Sequence, residues 1–401
     1  MITVPDDVTL TVGAVAHGGH CVARHDGRVV FVRHALPGET VVARLTDAEA
    51  DARYWRADAV EVLGASPDRV EHPWPEAGPG GVGGAELGHV ALPAQREWKT
   101  AVLADAFDRF AHVPFTGAVS GVDGDDERGG LRYRTRVSAI ADGEGKAGMR
   151  VHRSHDVHAL AAMPLATEAA EEALLGQRFP AGARVAVADA GGEPFVTVDG
   201  ARWHGGRRDT RDNAPKRVTE VVRIGDAEHE LVVDATGFWQ VHREAPSLLA
   251  TRVRELAGTG ARALELYSGA GLLTTALAPT HETVTAIESD ADAVRAARRN
   301  LTAHPKVTLV QGDVRATLNA GVGSMDTVVL DPPRSGAGRA TLVPIAATGA
   351  SRIVYVACDP VALARDVETM AELGYAITHV EAWDVFPMTH HVEAIAVFEP
   401  A

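Results

Sequence analysis

The stretch Glu265-Leu266-Tyr267-Ser268-Gly269-Ala270-Gly271 decides the fold of the C-terminal half of this chain. It ends a short apolar run and leads into a helical pattern. Its two glycines let the backbone approach a ligand closely at the start of a helix. This arrangement is typical of a nucleotide-binding strand-turn-helix unit, although Gly-x-Gly also occurs in plain turns.

Apolar runs alternate with helical patterns through the rest of the C-terminal half, at about 262–267, 283–288, 306–310, 326–331, 352–357, 376–381 and 393–398. The alternation predicts seven strands in a mostly parallel sheet with helices on both faces. The last two runs have no clear helix between them and indicate a terminal antiparallel addition. The start of an antiparallel last strand lies at the same edge as the ends of the parallel strands.

Acidic residues follow these runs where an adenosine-containing cofactor would need them. Glu288 ends the second run, where an acid holds both ribose hydroxyls. Thr274 replaces the third glycine of the dinucleotide fingerprint, and S-adenosylmethionine, unlike nicotinamide dinucleotides, needs no pyrophosphate cradle. Asp313 follows the third run, where an adenine amino group would lie, although an Asp there also serves as a helix N-cap.

The fourth and fifth runs end in reactive groups. Two prolines stiffen the segment Asp331-Pro332-Pro333-Arg334. An aromatic residue in place of Arg334 would favour amine methylation, so Arg334 indicates a different chemistry. Cys358 precedes a helix that starts at Asp359 and Pro360; the helix dipole favours its thiolate and Asp359 opposes it. The alternative is that Cys358 is a small buried hydrophobic residue.

Glu393 begins the last run. A carboxylate there is either a solubilising edge residue or a functional base, and the predicted topology brings it to the rim that also carries Glu288, Asp331 and Cys358. His390 and His391 are adjacent in the chain, and neighbouring residues rarely face one ion. We therefore predict no metal site.

The N-terminal half has a different pattern. Short strands separated by Gly-rich turns predict a small β-barrel over residues 1–62, followed by a Gly- and Pro-rich connector over 63–92. A central domain over 93–235 begins with a helix at about 94–110 and precedes the C-terminal domain over 236–401. Leu103, Ala106, Phe107 and Phe110 share one face of that helix.

Two basic clusters lie in the central domain. Residues 131–137 alternate Arg with other residues, which predicts a strand with Arg132, Arg134 and Arg136 on one face. The second cluster contains Arg202, Arg207, Arg208, Arg211, Lys216 and Arg217. These groups form either a solvated surface or a phosphate-binding groove, and the net charge of -15 requires any nucleic acid to meet such a local patch.

Composition excludes several classes of protein. The 401 residues contain only Cys21 and Cys358, so the chain has no disulfide framework and no four-cysteine metal or iron-sulfur site of its own. Its first seven residues are neither basic nor a long apolar run, and no later stretch has roughly 18 apolar residues. We expect a cytoplasmic protein without a membrane span; oligomeric state is not indicated.

The chain resembles the S-adenosylmethionine-dependent RNA uracil-5-methyltransferases, which act on tRNA and rRNA. The resemblance is carried by Leu330-Asp331-Pro332-Pro333-Arg334, by Tyr355-Val356-Ala357-Cys358-Asp359-Pro360, by Phe238-Trp239-Gln240-Val241 and by residues 386–393. It implies a TRAM-like barrel, a central α+β domain that contacts RNA, and a class I, Rossmann-like methyltransferase domain. It also implies an RNA substrate whose target base leaves its stack.

By this resemblance Cys358 is the nucleophile and Glu393 the proton acceptor. The implied cofactor contacts are Gln240, Tyr267, Gly269, Gly271, Glu288 and Asp331, with Asp313 as an addition. Many members bind an iron-sulfur cluster through four cysteines, but this chain has His72-Pro73, Val82-Gly83-Gly84-Ala85 and Met163-Pro164 there, so we expect no cluster. Ala357, Asp359 and Leu272 replace the more usual Ser, Asn and Asn.

Two alternatives remain open at this point. RNA cytosine-5 methylation uses similar thiol chemistry, usually with the cysteine in a different sequence context. A catalytically silent RNA-binding protein with a methyltransferase fold would keep the Arg clusters but would not need Cys358 and Glu393.

Overall fold

A computed structural model gives the fold and describes residues 6–49, 51–151 and 156–401. Most of the N-terminal segment used above to predict localisation, residues 1–5, lies outside this range. The first five strands form a closed barrel in the order β1-β2-β3-β5-β4. Their bounds are β1 Asp7–Ala16, β2 His20–His25, β3 Arg28–Arg33, β4 Thr40–Asp47 and β5 Tyr54–Gly64. Alternate apolar side chains such as Leu10 and Val30 fill the barrel.

Helix α1 (Leu92–Ala106) lies between the barrel and the C-terminal sheet. It has a proline in its first turn and continues into one π-helical turn, Phe107–Ala111. Trp98 and Val102 pack with the barrel core, whereas Leu103 and Phe107 pack with the core of the sheet. The predicted helix at about 94–110 is therefore present, and its two sides join two hydrophobic cores.

The central region contains a seven-stranded sheet in the order β13-β12-β11-β10-β7-β8-β9, covered by α2, and a two-stranded hairpin of β14 and β15. A two-residue strand, β6, precedes them. The bounds are β6 Val119–Ser120, β7 Arg136–Ala141, β8 Ala147–Arg150, β9 Val157–Ala159, α2 Glu168–Leu175, β10 Arg184–Ala188, β11 Phe195–Val198, β12 Ala201–His204, β13 Arg207–Arg208, β14 Arg217–Ile224 and β15 Ala227–Asp234.

The C-terminal region alternates strands with helices. The bounds are α3 Ala245–Ala257, β16 Gly260–Leu266, α4 Leu272–Leu277, β17 His281–Glu288, α5 Ala291–Asn300, β18 Val307–Gln311, α6 Val314–Ala320, β19 Thr327–Leu330, α7 Arg339–Ala346, β20 Arg352–Ala357, α8 Pro360–Glu372, β21 Tyr375–Trp383 and β22 Glu393–Pro400.

Their sheet has the order β18-β17-β16-β19-β20-β22-β21-β6. The first five strands in this order are parallel, and β22 runs antiparallel to both β20 and β21. The predicted fold class is confirmed, including the antiparallel last strand. The short strand β6 was not predicted; it adds to the edge strand β21 and lengthens the sheet to eight strands.

The strand predicted over residues 131–137 is wrong. Strand β7 begins only at Arg136, and Arg132 has a left-handed backbone with φ of 58°. The side chains of Arg132 and Arg136 form ion pairs with Glu171 and Glu220, respectively. Tertiary partners therefore override the alternating pattern, and the three arginines do not share one face of a strand.

Candidate active site

The predicted site residues meet in one cavity at the carboxyl ends of the parallel strands. The cavity has a volume of about 940 Å³. Tyr267, Glu288 and Asp331 lie where β16, β17 and β19 end, and Cys358 follows β20 directly. Among the predicted residues, those that line the cavity are Gln240, Tyr267, Gly269, Glu288, Asp331, Cys358 and Glu393.

The register of β20 and β22 places Cys358 opposite Glu393. Ala357 pairs with Ala394 across these antiparallel strands. Continuing the register by one residue brings the thiol and the carboxyl to neighbouring positions, which lie about 5 Å apart at their Cβ atoms in such pairs. A thiol and a carboxyl group from two chain segments therefore meet inside one cavity.

The turn after β16 is held by Glu288. The Gly269 N–H donates to Oε2 of Glu288 at 2.9 Å, and the Asp290 N–H donates to Oε1 at 2.7 Å. Tyr267 has a positive φ of 63°, which is uncommon for an aromatic residue and costs backbone energy. The glycine turn, Tyr267 and the acidic side chain thus form one fixed corner of the cavity.

Gly271 and Asp313 have a different placement from the other predicted residues. Neither residue is among the described residues that line the cavity. Gly271 has φ of 91° at the start of α4, and a Cβ there would lie 3.1 Å from the Leu301 side chain. Asp313 is exposed and caps α6 by accepting the Ala316 N–H at 2.8 Å. Both positions shape helix starts beside the cavity.

Two carboxyl groups of the cavity, Glu393 and Asp331, have raised pKa values because they are buried. Glu393 is only 2% exposed, and burial together with the nearby Asp331 raises its pKa well above the usual range, against the opposing charge of Arg334. Burial likewise raises the pKa of Asp331. Glu393 in its ionised form is thus a stronger base than an exposed glutamate.

The Cys358 thiol is also protonated in the free protein. Burial, followed by the charges of Glu393 and Asp331, raises its pKa to about 12, with Arg334 acting in the opposite direction. Asp359 adds a smaller effect of the same sign as the other carboxylates. The second cysteine, Cys21, is 0% exposed inside the barrel, where its Sγ donates to the Ala35 carbonyl. Cys358 is the accessible thiol of this chain.

Three family models match parts of the chain: TRAM domain over residues 5–60, Methyltransferase small domain over 243–350, and tRNA (Uracil-5-)-methyltransferase over 319–399. A relative from Streptomyces avermitilis, named an uncharacterized RNA methyltransferase, is 41% identical over 99% of this chain and 99% of its own length. The 23S rRNA (uracil(1939)-C(5))-methyltransferase RlmD of Shewanella amazonensis is 30% identical over 98% of this chain and 95% of its own length.

This chain belongs to the S-adenosylmethionine-dependent RNA uracil-5-methyltransferases. The resemblance inferred from the sequence motifs is thereby confirmed. A solved structure, the tRNA (uracil-54, C5)-methyltransferase of Pyrococcus abyssi in complex with S-adenosyl-L-homocysteine, superposes with a TM-score of 0.71 at 20% identity, covering 97% of this chain and 99% of that chain. The similarity shows that this chain has the same overall fold as that protein across the barrel, the central region and the methyltransferase sheet.

The positions compared in the sequence analysis with cluster cysteines carry mainly apolar side chains in this chain. Val82, Ala85 and Met163 pack in one hydrophobic cluster with Trp74. Nearby, the His72 ring contacts the Ala85 carbonyl at 3.0 Å. Within residues 6–49, 51–151 and 156–401, no group of three or more His, Cys, Asp or Glu side chains is arranged to hold a metal ion.

The segment between β21 and β22, which delivers Glu393 to the cavity, is held by buried side chains from outside the methyltransferase sheet. Lys99 of α1 pairs with Asp384, and its Nζ donates to the Phe386 carbonyl at 3.0 Å. Gln95 accepts the Met388 N–H at 2.7 Å, and the Tyr133 hydroxyl donates to the Pro387 carbonyl at 3.0 Å. These contacts fix both sides of the turn at residues 386–389.

Sequence reasoning missed this network, although a signal was present. Lys99 lies four residues before Leu103, so the apolar face predicted for the helix also contains one lysine. A lysine on the buried face of an amphipathic helix indicates a buried ion pair, because an unpaired ammonium group cannot be desolvated cheaply. Its partner, Asp384, is 285 residues away in sequence, and no local pattern identifies it.

Proposed function

We propose that this protein transfers a methyl group from S-adenosylmethionine to carbon 5 of a uridine in rRNA or tRNA, through a covalent bond between Cys358 and carbon 6. One observation carries the proposal: the β20–β22 register sets a thiol opposite a buried carboxyl inside the cavity that Tyr267 and Glu288 also line. Cytosine-5 methylation and a silent RNA-binding role are outcomes of the test below.

The residues present fit S-adenosylmethionine. The Gly269 turn leaves room for a ligand, since a Cβ there would meet nothing within 4 Å, and Glu288 offers carboxylate oxygens to ribose hydroxyls. Gln240, Tyr267 and Asp331 would complete the cofactor contacts. Gly271 and Asp313 would act indirectly, by setting the starts of α4 and α6. When bound, the cofactor supplies an electrophilic methyl group.

Cys358 provides the activation that a uracil ring requires. Carbon 5 of uracil is a poor nucleophile until a thiolate adds to carbon 6. The thiol loses its proton to solvent, aided by the positive charge of Arg334, and Sγ then bonds to carbon 6. The electron pair of the carbon 5–carbon 6 double bond moves into the ring as an enolate, and carbon 5 becomes the methyl acceptor.

Glu393 completes the reaction as a general base. Its carboxylate removes the proton from the methylated carbon 5, the electron pair re-forms the carbon 5–carbon 6 bond, and the Cys358 thiolate leaves. A raised pKa suits this role, because the ionised group then accepts a proton more readily near neutral pH. Burial of Glu393 also keeps bulk water away from the proton transfer.

An RNA partner is supported by aromatic and basic groups on the barrel, at the cavity mouth and in the central region. On the barrel, Phe31 packs edge-on against Tyr54, and the Arg56 guanidinium lies 5.0 Å from the centre of the Tyr54 ring. At the cavity mouth Phe238 is 80% exposed. Such groups stack bases of single-stranded RNA, and the exposed Arg207, Arg208, Lys216 and Arg217 offer charges to phosphates.

Among the described residues, no helix is both long and apolar enough to cross a bilayer. We propose a cytoplasmic location, which would suit an enzyme acting on rRNA or tRNA. We also propose four parts of the chain: a barrel over residues 1–62, a connector over 63–92, an RNA-contacting domain over 93–235 and a methyltransferase domain over 236–401.

The function is tested by incubating the protein with methyl-labelled S-adenosylmethionine and undermodified rRNA or tRNA, then identifying the labelled nucleoside. We expect 5-methyluridine, and no label with the Cys358→Ser variant. Label in 5-methylcytidine would assign the cytosine activity instead. No incorporation into either RNA would support the silent RNA-binding role and overturn the proposal.

A further inference from the structure

The loop between β1 and β2 of the barrel reaches the residue next to the proposed nucleophile. Nε2 of His17 lies 3.1 Å from Oδ2 of Asp359, which follows Cys358 directly. In the same loop, a Cβ on Gly19 would lie 3.2 Å from the Cβ of Glu86 and 3.4 Å from the Cβ of His390. The barrel therefore packs against the rim of the cavity through this loop.

Asp359 connects this contact to the start of α8. Its Oδ1 accepts the N–H groups of Val361 at 3.0 Å and Ala362 at 2.8 Å, which makes Asp359 the N-cap of the helix. Burial alone would raise the pKa of Asp359, but the hydrogen bonds from His17 and from these backbone groups hold it below the usual range. The ionised form of Asp359 is thus stabilised both by the start of α8 and by His17 of the barrel.

The charges around Cys358 show why this anion needs a partner. Cys358 faces Glu393 from β22 and both Asp331 and Arg334 from the segment after β19. Asp359 is a third carboxylate, on the same segment as the thiol. Since each carboxylate disfavours the thiolate, an uncompensated Asp359 works against the nucleophile.

Among the described residues, Asp359 is the one carboxylate that forms an ion pair with His17. The His390 ring lies 6.1 Å away, and His390 itself is 3.6 Å from Glu86. His20 lies nearby at the end of the same loop. The histidine and carboxylate groups at this junction thus form two pairs, His17 with Asp359 and His390 with Glu86.

We propose that His17 is a positioning residue for the nucleophile: by pairing with Asp359, the barrel fixes the start of α8 and offsets the carboxylate beside Cys358, so that barrel placement controls thiol reactivity. This inference rests on the proposed role of Cys358. It also explains how the chain accommodates Asp359, which the sequence identified as a departure from the Asn usual in the family. The compensating group comes from another domain.

The test measures the alkylation rate of Cys358 at pH 7 with iodoacetamide, by mass spectrometry of its peptide. Because Cys21 is buried in the barrel, the two cysteines are separable. We expect His17→Ala to slow alkylation about threefold, the order expected when a partly solvent-screened carboxylate near the thiol loses its hydrogen-bond partner. His17→Arg, which can also donate a hydrogen bond to Asp359, should restore most of the rate.

A double-mutant comparison isolates the pair. Asp359→Asn keeps an N-cap but removes the charge, so it should speed alkylation, and His17→Ala should then have no further effect. His25→Ala, another barrel histidine in an ion pair, is the matched control and should leave the rate unchanged. An equal loss in both backgrounds, no loss from His17→Ala, or no recovery with Arg would overturn the inference.

Methylation kinetics provide a second readout. His17→Ala should lower kcat with little change in the KM for RNA, whereas a rise in KM alone would show that His17 contacts RNA instead and would overturn the positioning role. Alkylation requires neither RNA nor S-adenosylmethionine. The alkylation assay can therefore reject the effect of His17 on Cys358 even if the protein methylates uridine. It can also support that effect if no methylation is observed.

Discussion

Glu393 lies in a buried position, where an ionised carboxylate lowers the stability of the folded protein. Its side chain is buried beside Asp331 and Cys358, and its pKa is raised in the folded state. Functional groups of this kind are commonly maintained against the stability of the fold. Burial of Glu393 both raises its pKa, which suits the proposed base role, and lowers the stability of the folded protein when the group is ionised. Measurements of unfolding free energy can therefore detect this burial.

We predict that Glu393→Gln abolishes methylation and raises the free energy of unfolding, with a gain that grows with pH. A carboxyl whose folded pKa exceeds its unfolded value near 4.3 binds more protons in the folded state, so stability falls as pH rises through that window. Each unit of raised pKa corresponds to about 1.4 kcal/mol. Urea unfolding of both proteins at pH 5 and pH 8 measures the gain; an equal gain at both pH values would contradict the raised pKa.

A second prediction at this scale concerns the cofactor corner. Glu288→Gln should weaken S-adenosyl-L-homocysteine binding by about tenfold or more, since hydrogen bonds to a charged group contribute about 1.5–3 kcal/mol. Asp313→Asn is the control, because Asp313 caps α6 outside the cavity and Asn is an equally good cap. Isothermal titration calorimetry compares the two; a larger loss with Asp313→Asn would assign the adenosine contact to Asp313.

The individual site residues were largely predictable because they follow apolar runs whose ends coincide in a parallel sheet. Cys358 and Glu393 belong to this class, as do Asp359 and Pro360 as a helix start. Their protonation could not be predicted, because it depends on how close Asp331 and Glu393 come across three strands. Partners of Arg132 and Arg136 were missed for the same reason: they lie 39 and 84 residues away in sequence.

At the scale of elements, helix α1 supports the segment that carries Glu393. Lys99 and Asp384 are fully buried, and burial lowers the pKa of Lys99 while its partner opposes that change. Such a pair makes little net contribution compared with apolar side chains, yet removing one partner leaves an uncompensated charge. The pair is therefore better understood as a device that fixes the position of the segment at residues 384–392.

We predict that Lys99→Met destabilises the protein by about 3–5 kcal/mol, because Asp384 is left buried and unpaired, and that Lys99→Met/Asp384→Leu recovers much of this loss. Arg96→Met is the matched control on the same helix: it removes an ion pair with the mostly exposed Asp126 and should cost about 1 kcal/mol or less. Denaturant unfolding measures all three. Equal losses from Lys99→Met and Arg96→Met would contradict this account.

The elements of the C-terminal region followed from the sequence, whereas in the central region one predicted strand was wrong and most of the observed strands were not predicted. All seven C-terminal strands and the helix containing Lys99 occur where the hydrophobic pattern predicts them. The alternating arginines at 132–136 were misassigned as a strand, since period-two alternation reports side-chain type but not tertiary pairing. The two-residue strand β6 is too short to leave a periodic signal.

At the scale of the whole molecule, the barrel is part of the site architecture. It shares a hydrophobic core with α1 and places His17 against Asp359 beside the cavity. The sequence predicted that a barrel exists, but the contact between its first loop and α8 has no local signature. Interdomain placement is decided by side chains about 340 residues apart, as His17 and Asp359 show.

We predict that the outer face of the barrel contributes to RNA affinity. Tyr54 is 42% exposed, and Tyr54→Ala should weaken RNA binding by about 1–3 kcal/mol through loss of base stacking. Val60, 40% exposed on the same strand, provides the control substitution Val60→Ala, which should leave affinity unchanged. Filter binding at fixed salt measures both; equal effects of the two substitutions would exclude stacking at Tyr54.

The covalent role of Cys358 is tested most directly by trapping on RNA that contains 5-fluorouridine, in the presence of S-adenosylmethionine. Fluorine at carbon 5 leaves no proton for Glu393 to remove, so the bond between Sγ of Cys358 and carbon 6 should persist. We expect a denaturation-resistant complex whose mass corresponds to methylated RNA linked to the Cys358 peptide, and none with Cys358→Ala. A complex that still forms with Cys358→Ala, or a crosslink that maps to another residue, would contradict the proposed mechanism.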